Sequence, residues 1–167
     1  MSEQASISLI KFSEDHIKQT YEWVKSPEFK YLFLLRGEVT YEGNHQYFEK
    51  VLSDHSQIVY AIYYKGKHVG NCGFKNISLK KKEAEIWIYI GDSSLRGKGI
   101  GLQATRTLLS EAFEKLGLKT IYLHVADYNA AAINMYKKLG FSDVSTKASE
   151  GEWSDRGCKI VRMELKK

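Results

Sequence analysis

Apolar residues in the middle of the chain are spaced as they are in β-strands. Two β-rich runs, Ile58 to Tyr64 and His68 to Phe74, are separated only by Lys65-Gly66-Lys67. Two strand-like runs joined by a short segment that contains glycine are typical of an antiparallel hairpin. The sequence therefore predicts a hairpin at this point.

The segment from Glu83 to Gly91 alternates strictly between two kinds of side chain. Glu85, Trp87 and Tyr89 share one face, and three isoleucines at positions 86, 88 and 90 share the other. This period of two predicts a third strand, with one purely aliphatic face and one face that carries polar atoms.

The spacing becomes helical after this strand. From Gly101 to Gly117, and again from Asn129 to Leu139, apolar residues recur three and four positions apart. Further helices are predicted over Glu14–Lys25 and Tyr41–Leu52, around a less regular aromatic segment, Phe29–Leu35, and further strands over Ser6–Phe12, Thr120–Val125, Phe141–Thr146 and Cys158–Leu165. We expect one α+β domain over residues 1–167, with a mixed, mostly antiparallel central sheet and helices on both faces.

Composition excludes several classes of protein. The longest apolar run has seven residues, whereas a membrane-spanning helix needs about 20. The first residues show no basic, then apolar, leader, so we expect a cytoplasmic protein without membrane association. The two cysteines, Cys72 and Cys158, are expected to be reduced core residues.

The net charge of +5 is unevenly distributed. Lys and Arg exceed Asp and Glu by six between Lys65 and Lys119, so the rest of the chain is slightly acidic. The surplus favours an anionic ligand for the middle of the protein, although the solvated lysines 80–82 account for half of it.

A glycine-rich loop, Arg96-Gly97-Lys98-Gly99-Ile100-Gly101, lies between the third strand and the next helix. Glycines at such a place expose backbone amides at a helix N-terminus, where an anion can bind, and Arg96 and Lys98 add positive charge. The loop also fits the dinucleotide pattern G-x-G-x-x-A, but it lies too late in the chain for that fold, and no Walker A sequence is present. The five histidines form no H-E-x-x-H pattern and the cysteines form no C-x-x-C pair, so we expect no metal.

A second block follows about 30 residues later. It runs from the strand at Tyr122 through Asn129 to Tyr136 and ends at Gly140-Phe141. Asn129 stands where a helix N-cap is expected, and Tyr136 alone is compatible with a plain core position.

Taken together, the two blocks resemble the Gcn5-related N-acetyltransferase (GNAT) family. The resemblance covers roughly residues 58–141, and it extends to the group with ribosomal-protein N-terminal, spermidine and nucleotide-linked amino-sugar acetyltransferases. It implies a GNAT-like domain that uses acetyl-CoA as cosubstrate. It also implies coenzyme contacts from two sets of residues: a strand end with the following loop, and the start of a later helix. These are Tyr89, Ile90 and Gly91; Arg96, Gly97, Lys98, Gly99, Ile100 and Gly101; and Asn129.

Acetyl transfer from a thioester to an amine needs a base, because an alkyl amine with a pKa of about 10.4 is almost fully protonated at neutral pH. Glu85 is the preferred base and His124, on the neighbouring strand, is the alternative. The resemblance places Tyr136 near the sulfur, where its phenol would protonate the leaving thiolate.

The acceptor is expected to be a small soluble primary amine, and the protein a monomer or homodimer that binds no nucleic acid. A nucleotide-linked amino sugar is preferred, because Arg36 among aromatic residues suits a diphosphate and a stacked ring. A polyamine or a ribosomal-protein N-terminus is the alternative, since five acids between residues 26 and 57 favour a cationic ligand. A coenzyme A-binding regulator or a nucleic-acid-binding module is the non-enzymatic alternative.

Overall fold

The structure is a computed structural model that describes residues 6–35, 37–145 and 157–167. The described residues form seven strands and five α-helices. The strands are β1 (Ile7–Lys11), β2 (Ile58–Tyr64), β3 (Lys67–Ser78), β4 (Glu83–Ile90), β5 (Thr120–Ala126), β6 (Ser142–Asp143) and β7 (Ile160–Lys166). The helices are α1 (Ile17–Val24), α2 (Pro27–Leu32), α3 (Tyr41–Ser53), α4 (Ile100–Ser110) and α5 (Ala130–Lys138).

All seven strands join one sheet in the order β1-β2-β3-β4-β5-β7-β6. Every neighbouring pair is antiparallel except β4 and β5, which are parallel because α4 crosses between them. The predicted mixed, mostly antiparallel sheet and the β2–β3 hairpin are therefore confirmed.

The two faces of the sheet pack against different helices. Aliphatic residues of β4, including Ile86 and Ile88, join a core cluster with α4 residues such as Leu108. The opposite face carries a smaller cluster around Phe12, Phe48 and neighbouring residues, against which Trp87 packs. The strict alternation in β4 thus separates an aliphatic face from a face that carries Glu85, Trp87 and Tyr89.

The interpretation of residues 29–35 as irregular is wrong for their first part. Helix α2 begins after Ser26, whose side chain accepts a hydrogen bond from the Phe29 amide at 3.1 Å, and Pro27 occupies its first turn. A serine cap followed by proline is a helix start. The helix is short and rich in aromatic residues, so no clear helical period marks it.

β4 and β5 pair over only three positions before they separate. The pairs are Glu83 with Thr120, Ala84 with Ile121 and Glu85 with Tyr122. Beyond them β5 continues to pair with β7, and β4 with β3. The edge of β4 from residue 86 to residue 90 therefore lies open toward a gap within the described sheet.

Both cysteines are buried, as expected of core residues. No helix among the described residues is long and apolar enough to cross a membrane.

Candidate active site

A cavity of about 590 Å³ lies where β4 and β5 separate. Its walls come from β4 and β5, from the start of α5, and from the α1–α3 layer above the sheet. Its polar and charged lining side chains include Glu38, Asn44, Lys75, Glu85, His124, Asn129, Tyr89 and Tyr136. A cavity that is mostly apolar and has a few convergent polar groups is typical of a ligand site.

Glu85 is a buried carboxylate with three donors around it. His124 Nδ1 lies 2.6 Å from Oε1, Asn76 Nδ2 donates to Oε2 at 3.1 Å, and Lys75 Nζ lies 3.9 Å from Oε1. Burial by itself raises the pKa of Glu85, but the His124 hydrogen bond and the charge of Lys75 outweigh it, so the pKa is lowered. Glu85 is therefore an anion at neutral pH.

This anion fixes the tautomer of His124. An ionised carboxylate only accepts hydrogen bonds, so Nδ1 of His124 carries the proton that it donates to Glu85. Nε2 has no hydrogen-bond partner among the described residues, and the side chain is 39% exposed while lining the cavity. The arrangement leaves Nε2 as a nitrogen that can accept a proton from a ligand.

The irregularity in β3 places Asn76 beside Glu85. The β3–β4 register shifts between Lys75 and Ser78, and Asn76 adopts a left-handed conformation with φ 53°. Asparagine tolerates this conformation better than most residues. The bulge thereby directs an amide donor at the second carboxylate oxygen.

Tyr136 lies at the α5 side of the same cavity. It is 5% exposed, packs edge to face on Phe141, and has no hydrogen-bond partner among the residues described. Burial raises the pKa of Tyr136, so the phenol stays protonated at any physiological pH. It is thus both a core residue and a protonated hydroxyl at the cavity wall.

Asn129 is both a helix cap and a residue of the cavity wall. It is the N-cap of α5, as expected, and its side chain accepts from the Ala132 amide at 3.3 Å. It also lines the cavity.

The end of β4 is held from one side only. Tyr89 pairs with Asn71 of β3, and its hydroxyl accepts a hydrogen bond from Asn71 Nδ2 at 2.8 Å. Ile90 pairs with Gly70, and the Gly91 amide donates to Val69 at 2.8 Å. The other edge of these residues faces the gap toward β5.

The glycines of the loop before α4 adopt backbone angles that suit a tight turn. Gly97 and Gly99 have φ of 76° and 80°, which only glycine adopts readily, and a Cβ at either would meet nothing within 4 Å. Gly99 is the N-cap of α4 and provides no side-chain cap, so the first amides of the helix remain available. Ile100 anchors the loop in the core, and Gly101 lies close to Met135 of α5.

The two cations of this loop differ. Arg96 Nε donates to the Ile90 carbonyl at 3.3 Å, and its guanidinium forms an ion pair with Glu28 of α2. Lys98 is exposed and has no ion-pair partner in the described part of the chain. The sequence shows both cations in one loop, but the contact of Arg96 with α2 could not be predicted from the sequence.

α2 also reaches the opposite side of the cavity. Tyr31 stacks on Tyr128, with ring centroids 4.3 Å apart, and the Tyr128 hydroxyl donates to the Tyr31 carbonyl. Tyr128 directly precedes Asn129. α2 therefore bridges the loop before α4 and the loop before α5.

The residues expected to shape an acceptor site are only partly described. Arg36 and Trp153 lie outside the described residues, Phe33 lines the cavity, and Tyr31 and Tyr41 are about half exposed. Asn44, Asn76 and Lys75 were missed by the sequence analysis, since no local pattern distinguishes them.

Comparison with known proteins gives a consistent result. The family model for the acetyltransferase (GNAT) family matches residues 17–141. An N-acetyltransferase 9-like protein of Nematostella vectensis is 26% identical over 152 residues, covering 83% of this chain and 76% of its own. The spermine/spermidine N(1)-acetyltransferase of Bacillus subtilis is 28% identical over 109 residues, covering 62% of this chain and 68% of its own.

The fold is also shared with solved structures. The spermidine N-acetyltransferase of Vibrio cholerae in complex with CoA and spermine superimposes with a TM-score of 0.86 at 20% identity, over 96% of this chain and 95% of that one. A dodecameric structure of the Vibrio cholerae spermidine enzyme gives a TM-score of 0.77 at 21% identity, over 96% and 93%. Since the family model spans about three quarters of the sequence, the chain belongs to the acetyltransferase (GNAT) family and is an acyltransferase that depends on acetyl-CoA.

Proposed function

We propose that the protein transfers the acetyl group of acetyl-CoA to the primary amine of a small acceptor. The observation that carries the proposal is the cavity between β4 and β5, which is lined by an ionised Glu85 that holds His124 and by a protonated Tyr136. These groups supply a proton acceptor and a proton donor to one cavity.

The coenzyme would bind along the open edge of β4. Its diphosphate would lie on the amides of Gly97 to Gly101 at the start of α4, where open space surrounds Gly97 and Gly99 and Lys98 is exposed. Its pantetheine arm would pair with the backbone of Tyr89 to Gly91, with Asn129 facing it from α5. A backbone amide of β4 would then stabilise the oxyanion.

In this mechanism Glu85 and His124 act as one unit. The depressed pKa of Glu85 makes its carboxylate a weak base. The amine proton therefore passes to His124 Nε2, and Glu85 stabilises the imidazolium that forms. Glu85, the base favoured from sequence, becomes a positioning residue, and His124 takes the proton.

The atoms balance over one direct transfer. The neutral amine attacks the thioester carbonyl, so that a C–N bond forms and the C–S bond breaks. Tyr136 donates a proton to the leaving thiolate, whose pKa is about 8.5 and which needs only partial help. His124 holds the proton that the amine nitrogen loses on attack, and it releases this proton through solvent to reprotonate the Tyr136 phenolate.

The names of the relatives bear on the class of acceptor. The relatives reported above are named for polyamine or N-acetyltransferase 9 activity, and none for a nucleotide-linked amino sugar, so the comparisons favour the polyamine alternative. Glu38 at the cavity rim could pair with a second ammonium group. A monomer or homodimer stays a prediction.

The test is acetyl-CoA consumption measured against a panel of primary amines. His124→Asn should lower kcat/KM by at least about 100-fold, whereas the matched control His55→Asn, at an exposed position outside the cavity, should leave it unchanged. Tight coenzyme binding without turnover of any amine would contradict the proposal and favour a regulatory role.

A further inference from the structure

Asn44 is a buried amide that the fold does not use. It lies in the first turns of α3, is 8% exposed and lines the cavity. Its Nδ2 is buried and has no hydrogen-bond partner among the described residues. Native proteins rarely leave such a donor unpaired, because the loss of its hydrogen bonds to water is not repaid.

The Asn44 side chain is not needed to cap α3. Thr40 already caps the helix by accepting from the Gly43 amide at 3.0 Å, and the Asn44 backbone amide bonds to the Thr40 carbonyl. Asparagine inside a helix is less favourable than most residues. An explanation for Asn44 must therefore lie in the cavity that it faces.

The cavity around Asn44 belongs to the acceptor side of the site. Asn44 is on α3, over the sheet face that carries Glu85, Trp87 and Tyr89, whereas α4 packs on the other face. Phe29 and Phe48, both buried, also line the cavity, as do the polar side chains of Glu38, Thr40 and Tyr47. Among the buried side-chain donors of the described residues, the Asn44 amide is the one left without a partner for a ligand group to satisfy.

An amide distinguishes ligand groups by the hydrogen bonds that they can complete. A carbonyl oxygen accepts from Nδ2, and a carboxamide can also donate back to Oδ1. An ammonium group only donates, so it leaves Nδ2 without a partner.

Few of the acids between residues 26 and 57 face the cavity. Of the five acids between residues 26 and 57, only Glu38 lines the cavity. Glu28 pairs with Arg96, Glu49 with His45, and Asp54 accepts hydrogen bonds from Ser56 and Gln57. The acidic bias seen in the sequence is therefore mostly directed elsewhere.

We infer that Asn44 selects acceptor amines that carry a carbonyl oxygen, such as an amino amide or the amino end of a peptide, over polyamines. The inference rests on the proposed function, and it names the acceptor class for the same site. It departs from the polyamine alternative that the relatives support, because it is drawn from the unpaired Asn44 amide of this chain. The amine would lie at His124 and the carbonyl at Asn44.

Two acceptors of equal length test this. In 5-aminopentanamide and cadaverine the reacting amine is the same, and the far end is a carboxamide or an ammonium group. We expect kcat/KM to favour the amide by about 10-fold, as for one buried hydrogen bond. Asn44→Leu should reduce that ratio to about one, and Asn44→Asp should reverse it. Gln46→Leu, an exposed change on the same helix, should preserve it.

Thermal unfolding separates this role from a structural one. Replacing an unpaired buried amide by a similar apolar side chain should leave the melting temperature of Asn44→Leu unchanged or raised. A lower melting temperature with an unchanged substrate ratio would overturn the inference. Turnover of both acceptors at equal kcat/KM by the unmodified protein would overturn the inference alone, whereas no turnover of any amine would overturn the proposed function and the inference with it.

Discussion

Glu28→Gln is expected to strengthen coenzyme A binding, whereas Arg96→Ala is expected to weaken it. Arg96 now pairs with Glu28, whose side chain is 61% exposed, and it must leave this partner to reach a diphosphate on the loop before α4. An exposed ion pair is worth about 0.2–1 kcal/mol, so its loss should raise affinity by about 1.4- to 5-fold. A charge-assisted bond to phosphate is worth about 1.5–3 kcal/mol, so its loss should lower affinity at least about 10-fold.

Isothermal titration calorimetry with coenzyme A at two salt concentrations measures both effects. Glu22→Gln is the matched control, because it removes the same charge from a pair with Lys25 on neighbouring α1. A purely structural ion pair would make both Glu28→Gln and Arg96→Ala weaken binding. That result, or equal effects of Glu28→Gln and Glu22→Gln, would refute the reasoning.

Three further changes test the site and the fold. Tyr136→Phe should lower kcat by about 10- to 100-fold and leave KM for acetyl-CoA within a few-fold, and an unchanged kcat would reduce Tyr136 to a core residue. The folded-state pKa of Glu85 is lowered, so its ionised form stabilises the fold at pH values above its ordinary pKa of 4.5, and this stability is lost as the pH falls through the folded-state pKa. The melting temperature of Glu85→Gln should therefore fall less steeply on acidification than that of the unmodified protein. Parallel curves of melting temperature against pH would contradict this. Gly91→Ala places a Cβ 1.9 Å from the Trp23 ring and should lower the free energy of unfolding by about 1–3 kcal/mol. The Cβ of Gly101→Ala meets its nearest atom at 3.4 Å, so this control variant should fold normally. Equal melting temperatures of the two variants would contradict the prediction.

Local periodicity is enough to predict most elements of this fold. The alternation in β4 identified both the strand and the face that carries Glu85, because side-chain direction in a strand depends only on the count along the chain. The tight turn before α4 was predictable from residue type, since glycine adopts its backbone angles most readily.

Contacts between distant segments could not be predicted in this way. Glu85 and His124 were read as alternative bases, yet they are partners at 2.6 Å, because the parallel register aligns Glu85 with Tyr122. That register is set by how α4 packs as it crosses between the strands, and it cannot be derived from the spacing of residues in the sequence. The unpaired amide of Asn44 likewise exists only once α3 covers the sheet.

The short pairing between β4 and β5 divides the sheet into two parts joined by three residue pairs. β1 to β4 form one part and β5 to β7 the other, and the ladder that joins these two parts is shorter than any other in the described sheet except that of β6 with β7. In hydrogen exchange, the amides of residues 86–90 that point into the gap should exchange faster than those of β3 in the free protein. A molecule that pairs with this edge would slow their exchange and add about 2.7 kcal/mol to the stability of the whole sheet at 100 times its Kd.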